Sequence, residues 1–349
     1  MNGTSRLALL AVAATALHAQ TERHGSLATQ YITSQALANT RTGLDPKRSV
    51  IVYLPPGYSE SGRRYPVIYY FHSLFTSNTH VFADGRVQQT LDRAISTGVT
   101  REVILVAADY STPTPGCFFE NSSTTGRWMD FTVEELVPFI DGHFRTLAKR
   151  ESRGLAGDFM GGYGALKFAM LYPGLFSVVY ALHPVGTGTG LVPMASRPDW
   201  RKIHEARSFR DLDGDVFAQV FTAMAQAFLP NPQRPPFYCD FMMEPDNGEL
   251  KQNAANTVKL QDAFLLDHML SEKADNLRKM RAIRFDWARY DSNQDHVFAN
   301  EAFTRRLDEL GIDHEAEEYN AVPGVKNWTL DGRVATEMLP FFGRYLTFE

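Results

Sequence analysis

The feature that most constrains this chain is an alternation. Short runs rich in β-branched and aromatic residues take turns with longer amphipathic runs, a pattern met by a mostly parallel sheet with helices on both faces. The strand runs are SVIVYLP (49–55), PVIYYFH (66–72), EVILVAADY (102–110), SRGLAGDF (152–159), FSVVYALHP (176–184), AIRFDWARY (282–290) and HEAEEYNA (314–321). The helix runs are 87–97, 132–144, 162–171, 297–310 and 329–346. No internal repeat is present. With 349 residues, 44% of them hydrophobic, the chain has enough apolar material for the large core such a sheet needs.

The alternation is interrupted once. Residues 185–280 carry a Gly/Thr run, the prolines Pro230, Pro232, Pro235 and Pro236, and two apolar-periodic stretches, VFAQVFTAMAQAFL and VKLQDAFLLDHML. Placed between two strands of one sheet, an insertion overhangs their carboxyl ends, where open α/β sheets bind ligands. It is expected to form a lid or pocket wall rather than a second domain.

Charge narrows the partners. There are 35 Lys and Arg against 40 Asp and Glu, a formal charge of -5, so no basic surplus exists for nucleic acid or an anionic membrane surface. The first residues place Arg6 before a short apolar run and then Leu17-His18-Ala19. That order predicts a signal peptide over 1–19 and a secreted or periplasmic domain over 20–349. The run is about half of what spans a bilayer, and no membrane anchor is expected. Cys117 and Cys239 could form one disulfide in an exported protein, and neither lies in a metal-ligand spacing. No metal or cofactor is expected.

GLAGDFMGGYGALKFAMLYPGLFSVV (154–179) reads as strand, glycine-bounded turn, helix and strand. Together with YLPPGY (53–58), YPVIYYFHS (65–73), TGRWMDFTVEELVPFIDGHFRT (125–146), RRLDELGI (305–312) and KNW (326–328), it resembles the α/β-hydrolase fold. The resemblance is to the esterase family that contains feruloyl esterases, S-formylglutathione hydrolases and mycolyltransferases. It extends over nearly all of the chain after the signal.

In that family the apex of the turn is a serine nucleophile, in a G-x-S-M-G-G context, and the base is a histidine in a late G-x-H-x-W segment. Here the apex is Phe159, with Gly157, Met160, Gly161 and Gly162 in register, and the late segment reads GVKNW with Lys326. A phenyl ring has no proton to lose and no lone pair to attack with. The family's acid is matched by Asp295, with Asp291 the weaker choice, so the resemblance leaves one triad position of three intact. An aspartate beside Lys326 would keep it protonated, which suits an ion pair or a fixed cation and not a base.

Other chemistry is sought nearby. Asp158 precedes the apex, but strand alternation points it away from any pocket that Phe159 faces. His183 ends the strand after the elbow helix and is the best-placed substitute base; His72 and His296 are also close to the expected site, with His72 expected to shape the oxyanion loop rather than to titrate. The resemblance further implies an oxyanion hole from the backbone N–H of Met160 and of Ser73 or Leu74. It also implies pocket walls from Phe118, Phe119, Glu120 and Trp128 in GCFFENSSTTGRW.

Three functions remain. The first is an esterase-family pseudoenzyme without the Ser-His-Asp triad, which binds a small ester or carboxylate or runs other chemistry with Lys326, Asp295 and His183. The second is a carboxylic ester hydrolase of the feruloyl or acetyl-ester type with a non-standard site. The third is a non-catalytic interaction protein using the insertion.

Overall fold

The computed structural model describes residues 24–188 and 197–349. The expected signal peptide lies outside them. All seven expected strands form, together with one more at the edge. They are β1 (Ser26–Thr33), β2 (Lys47–Leu54), β3 (Val67–Phe71), β4 (Ile104–Ala108), β5 (Arg153–Asp158), β6 (Val178–Leu182), β7 (Ala282–Ala288) and β8 (Glu315–Tyr319).

These strands make one sheet in the order β1-β2-β4-β3-β5-β6-β7-β8. β2 runs antiparallel to both of its neighbours, and from β4 to β8 every pairing is parallel. Strand β1 was not expected from the sequence, because its residues are mostly exposed and two of its large apolar side chains, Leu27 and Tyr31, face solvent. It adds to the sheet through the edge of β2.

Every residue of β3, β4 and β6 is buried, as parallel strands covered on both faces require. Alternation along each strand then feeds two separate cores. Tyr69, Phe71, Val106, Leu155 and Val179 face one, while Ile68, Tyr70, Leu105, Ala156 and Tyr180 face the other.

The second core is covered by α1 (Arg86–Ser96) and the C-terminal helix, the first by α2 (Val137–His143), α3 (Met160–Leu171) and the insertion. The longer helices of the insertion are α4 (Val216–Phe228), α5 (Ala254–Phe264) and α6 (Leu266–Leu277); α7 (Gln294–Glu309) and α8 (Leu339–Tyr345) follow it. The apolar stretch VKLQDAFLLDHML, continuous in sequence, divides at Leu265, whose extended backbone (φ -73, ψ 121) ends α5.

Two helices depart from the expected form in the same way. The turns before α2 (Phe131–Leu136) and before α8 (Val334–Met338) are widened to π geometry, and each is followed by a proline in the first turn of the α-helix, Pro138 and Pro340. Proline has no N–H to return to the preceding turn and its ring crowds the carbonyl there, which a wider turn relieves. No helix among the described residues is long and apolar enough to cross a membrane.

Residues 185–280 join β6 to β7, which pair directly from Val178↔Ala282 to Leu182↔Asp286. The chain therefore leaves the sheet at the carboxyl end of β6 and returns to the neighbouring strand. Asn300 of α7 fastens the exit, donating to the Pro184 carbonyl (2.9 Å) and accepting from the Thr187 hydroxyl (3.1 Å). Cys117 and Cys239 are both buried free thiols, and no disulfide joins them.

Candidate active site

Strand β5 turns into α3 at Phe159, whose φ of 49° and ψ of -113° lie where a bulky L-residue is rarely found. The neighbours dictate this turn. A Cβ on Gly161 would sit 1.9 Å from the Phe71 carbonyl oxygen, and one on Gly157 would sit 2.4 Å from the backbone of Gly161. Only glycine permits β3, the turn and α3 to approach so closely. The Phe159 N–H donates to the Leu182 carbonyl (3.0 Å), which locks the elbow to β6. The sharp strand–turn–helix backbone is thus present with a phenyl ring at its apex.

The Phe159 ring rests on the imidazole of His183, with centroids 4.9 Å apart. His183 is buried at the end of β6 with its own positive φ of 44°. Its Nδ1 accepts from the Ala288 amide at 2.9 Å, so the ring hydrogen is on Nε2, which donates to Asp291 at 2.8 Å. Both nitrogens are occupied, and His183 has no lone pair to offer a substrate.

Asp291 gathers the polar groups of the site. Its Oδ2 accepts from His183 and from His296 Nδ1, each at 2.8 Å, and its Oδ1 accepts from the Asn293 amide at 2.7 Å. Burial would raise its pKa, but these bonds outweigh it and hold the carboxyl well below the usual range. His183, Asp291 and His296 place ligand-type atoms within 4.8 Å of one another. They are not a fitting metal set as arranged, because the Ala288 amide consumes the lone pair of Nδ1 and leaves Nε2 protonated.

A cavity of about 370 Å³ opens above this floor. Ser73, Leu74, Phe75, Phe118, Phe159 and Met160 line it from the sheet side. Val216, Phe217, Val220 and Met224 of α4, with Phe264 and Leu265, close it from the insertion. Asp291 and His296 supply its polar edge. Phe75 and Phe118 share the positive φ of Phe159 and His183, so several aromatic walls are held by strained backbone. The Met160 N–H belongs to the first turn of α3, where a helix leaves amides without internal partners.

Several expected site residues stand elsewhere. Asp295, at the cavity rim, binds Arg197 at 3.1 Å and makes no pair with Lys326. It lies within the first turn of α7, held to Arg197, whereas the buried Asp291 precedes the helix. Lys326 is exposed. Its loop still reaches the elbow, since a Cβ on Gly324 would lie 3.6 Å from the Phe159 ring.

Asp158 faces the opposite side of the sheet, toward Tyr70, whose hydroxyl accepts from Trp328 Nε1 at 3.3 Å. Burial pushes the Asp158 carboxyl up to about 6 against the pull of Tyr70. Phe119 stacks on Phe71 at 4.6 Å, and Trp128 is buried beneath Tyr110 and Phe131; neither lines the cavity. Glu120 pairs with the buried Lys167 of α3. This loop contributes Phe118 alone to the wall, and nothing in GCFFENSSTTGRW marks which of its aromatics faces the cavity.

His72 accepts from the Tyr110 amide at Nε2 (2.8 Å) and donates from Nδ1 to the Ser73 carbonyl (2.9 Å), which orients the Ser73–Leu74 backbone at the cavity. Burial lowers its pKa, so it stays neutral in that role. Sequence reasoning undervalued Asp291 and His296. Their spacing across a helix start, D-S-N-Q-D-H, was the available signal, because an Asx turn at Asp291 brings both onto one side.

The family described as "Putative esterase" matches residues 42–233, more than half of the chain. Esterase Rv1288 of Mycobacterium tuberculosis is 38% identical over 137 residues, covering 37% of this chain and 27% of that protein. The endo-1,4-beta-xylanase/feruloyl esterase of Xylanibacter ruminicola is 30% identical over 134 residues, 36% of this chain and 18% of the relative. The chain therefore spans about a quarter or less of the length of these relatives.

Among solved structures, a ferulic acid esterase superposes with a TM-score of 0.61 at 18% identity, covering 93% of this chain and 99% of its own. The S-formylglutathione hydrolase from Agrobacterium tumefaciens does so with 0.61 at 15% identity, covering 94% and 98%. At such identities the likeness establishes the fold. The fold, the elbow backbone and the family match together make this chain a member of the putative esterase family of the α/β-hydrolase fold.

Proposed function

We propose that this protein is an exported esterase-family member that has given up serine-nucleophile chemistry and keeps the ester pocket for a small apolar ester or carboxylate. The observation that carries the reading is Phe159: the elbow backbone is intact, and its apex is a ring packed on His183. The largely hydrocarbon lining suits an aryl or alkenyl acyl group, and the amides at Met160 and Ser73–Leu74 suit its carbonyl or carboxylate oxygen. The relatives described as feruloyl esterases support that ligand class.

The test joins a covalent probe to a binding measurement. The unmodified protein is expected to resist labelling by a fluorophosphonate and to bind 4-hydroxycinnamate in calorimetry. Phe159→Ser with Lys326→His is expected to gain labelling, because the elbow geometry already exists. Labelling of the unmodified protein, or failure to bind any of a panel of aryl and alkyl carboxylates, overturns the reading.

A further inference from the structure

We infer that His296, held by Asp291, is a general base for direct attack of water on an ester bound in this pocket. The inference rests on the pocket assignment above and adds an activity to it.

Three features of the geometry converge on His296. First, its Nδ1–H is committed to Asp291 at 2.8 Å, so the neutral ring carries its lone pair on Nε2. His183 is the contrasting case: it shares the same carboxylate oxygen, but its other nitrogen is held by the Ala288 backbone amide, which cannot swing away as a side chain can. Second, His296 lines the same cavity as Met160, Ser73 and Leu74, and is half-buried, whereas His183 lies under Phe159. A base and an oxyanion cradle thus face one space.

The third feature is Asn293. Its Nδ2 lies 2.9 Å from His296 Nε2, while its Oδ1 is buried with no hydrogen-bond partner. As placed, the amide donates to the neutral ring. A half-turn of the same amide brings Oδ1 to that position, where it accepts from Nε2–H of the protonated ring. One side chain therefore matches both protonation states of His296, and the oxygen that is unpaired in one becomes paired in the other. Water reaches Nε2 by displacing the amide, which is the exchange that the unpaired oxygen favours.

The step balances without a further reactant. The oxygen of water bonds to the acyl carbon as its proton passes to His296 Nε2, and the carbonyl oxygen takes up negative charge at the Met160 and Ser73–Leu74 amides. Collapse of the tetrahedral intermediate breaks the acyl carbon–alkoxy bond, and the departing alkoxide takes the proton from His296. Ester and water become acid and alcohol, and no acyl-enzyme forms. Phe159 serves this route by keeping the apex dry and inert.

The experiment measures hydrolysis of methyl 4-hydroxycinnamate and binding of 4-hydroxycinnamate by the full chain, His296→Ala, His296→Gln and Asn293→Ala. Expected are slow turnover without a product burst, a loss of about 100-fold in kcat for both His296 variants, and recovery of His296→Ala by added imidazole. Binding of the acid is retained throughout, and melting temperatures check the folding of each variant. Asn293→Ala should lower kcat with KM unchanged, whereas a merely structural role would leave kcat alone. Turnover unaffected in His296→Ala and His296→Gln overturns the inference, as does a burst with fluorophosphonate labelling. Binding without turnover also overturns it and leaves the pocket reading standing. Absence of both overturns the two together.

Discussion

The elbow at 157–162 and the turn at 288–296 are built in opposite ways. The elbow is defined by its backbone and carries a phenyl ring at its apex; the turn is defined by a buried carboxylate that gathers His183, His296 and the Asn293 backbone amide. In the elbow, backbone shape follows from glycines packed against β3, so the side chain at the apex is free to change without altering the fold. In the turn, Asp291 is buried at a point where several donors converge, and a carboxylate in that position must be matched whatever else is replaced. Backbone shape sets the one region and side-chain charge the other.

The strongest way to break the comparison is to attack the elbow backbone. Gly161→Ala forces a Cβ into the Phe71 carbonyl and should lower stability by about 3 kcal/mol or more, read by denaturant unfolding. A well-tolerated alanine would mean that the turn relaxes and does not depend on its glycines.

Asp291→Asn tests the turn. Loss of charge-assisted bonds to His183 and His296 should cost about 2 kcal/mol near neutral pH. Because its folded-state pKa is depressed, the Asp291 contribution is present above the unfolded-state value near 4 and fades as pH falls below it. The difference between parent and variant should therefore shrink in acid, and a difference constant from pH 7 to pH 3 would contradict the pairing.

Asp158→Asn should act with the opposite sign. A carboxyl raised to about 6 by burial is tolerated when protonated and weakens the fold progressively as pH rises from about 4 through 6. The amide is expected to stabilise the protein by about 1 kcal/mol at pH 8 and to make little difference at pH 4, as followed by thermal melting at both. The smallest effect belongs to Asp295→Ala, which removes a surface pair with Arg197 and should change stability by about 0.5 kcal/mol or less, with carboxylate binding unchanged. A large loss of binding there would restore Asp295 to the site.

The sheet was legible in the sequence because buried parallel strands are short, apolar and separated by helical runs. VIYYF, ILVAA and VVYAL could serve as little else. Strand β1 was not, since its inward face is only Ala28, Gln30 and Ile32, while its larger apolar side chains Leu27 and Tyr31 are exposed and blur the alternation. The elbow was legible because its glycines are forced by contact. The choice between Asp291 and Asp295 was harder, because it turns on the helix boundary, which only the Asx turn of D-S-N-Q-D-H marks. Nor could sequence spacing show that a backbone amide from Ala288 occupies His183, whereas the second nitrogen of His296 meets the side-chain amide of Asn293.

The connection between β6 and β7 has a consequence for how such a protein changes over time. The two strands pair directly with each other, so the long excursion between them starts and ends at a fixed gap set by the sheet. Doubling the length of a flexible loop costs only about 0.6 kcal/mol in closure entropy, so the connections between α4, α5 and α6 can lengthen with little effect on the pairing of β6 with β7. Yet this excursion supplies Val216, Phe217, Val220 and Met224, the surface against which an acyl group would lie. The cavity's apolar wall is thus carried by one segment and its polar edge by another, so the wall can be exchanged without touching Asp291 or His296.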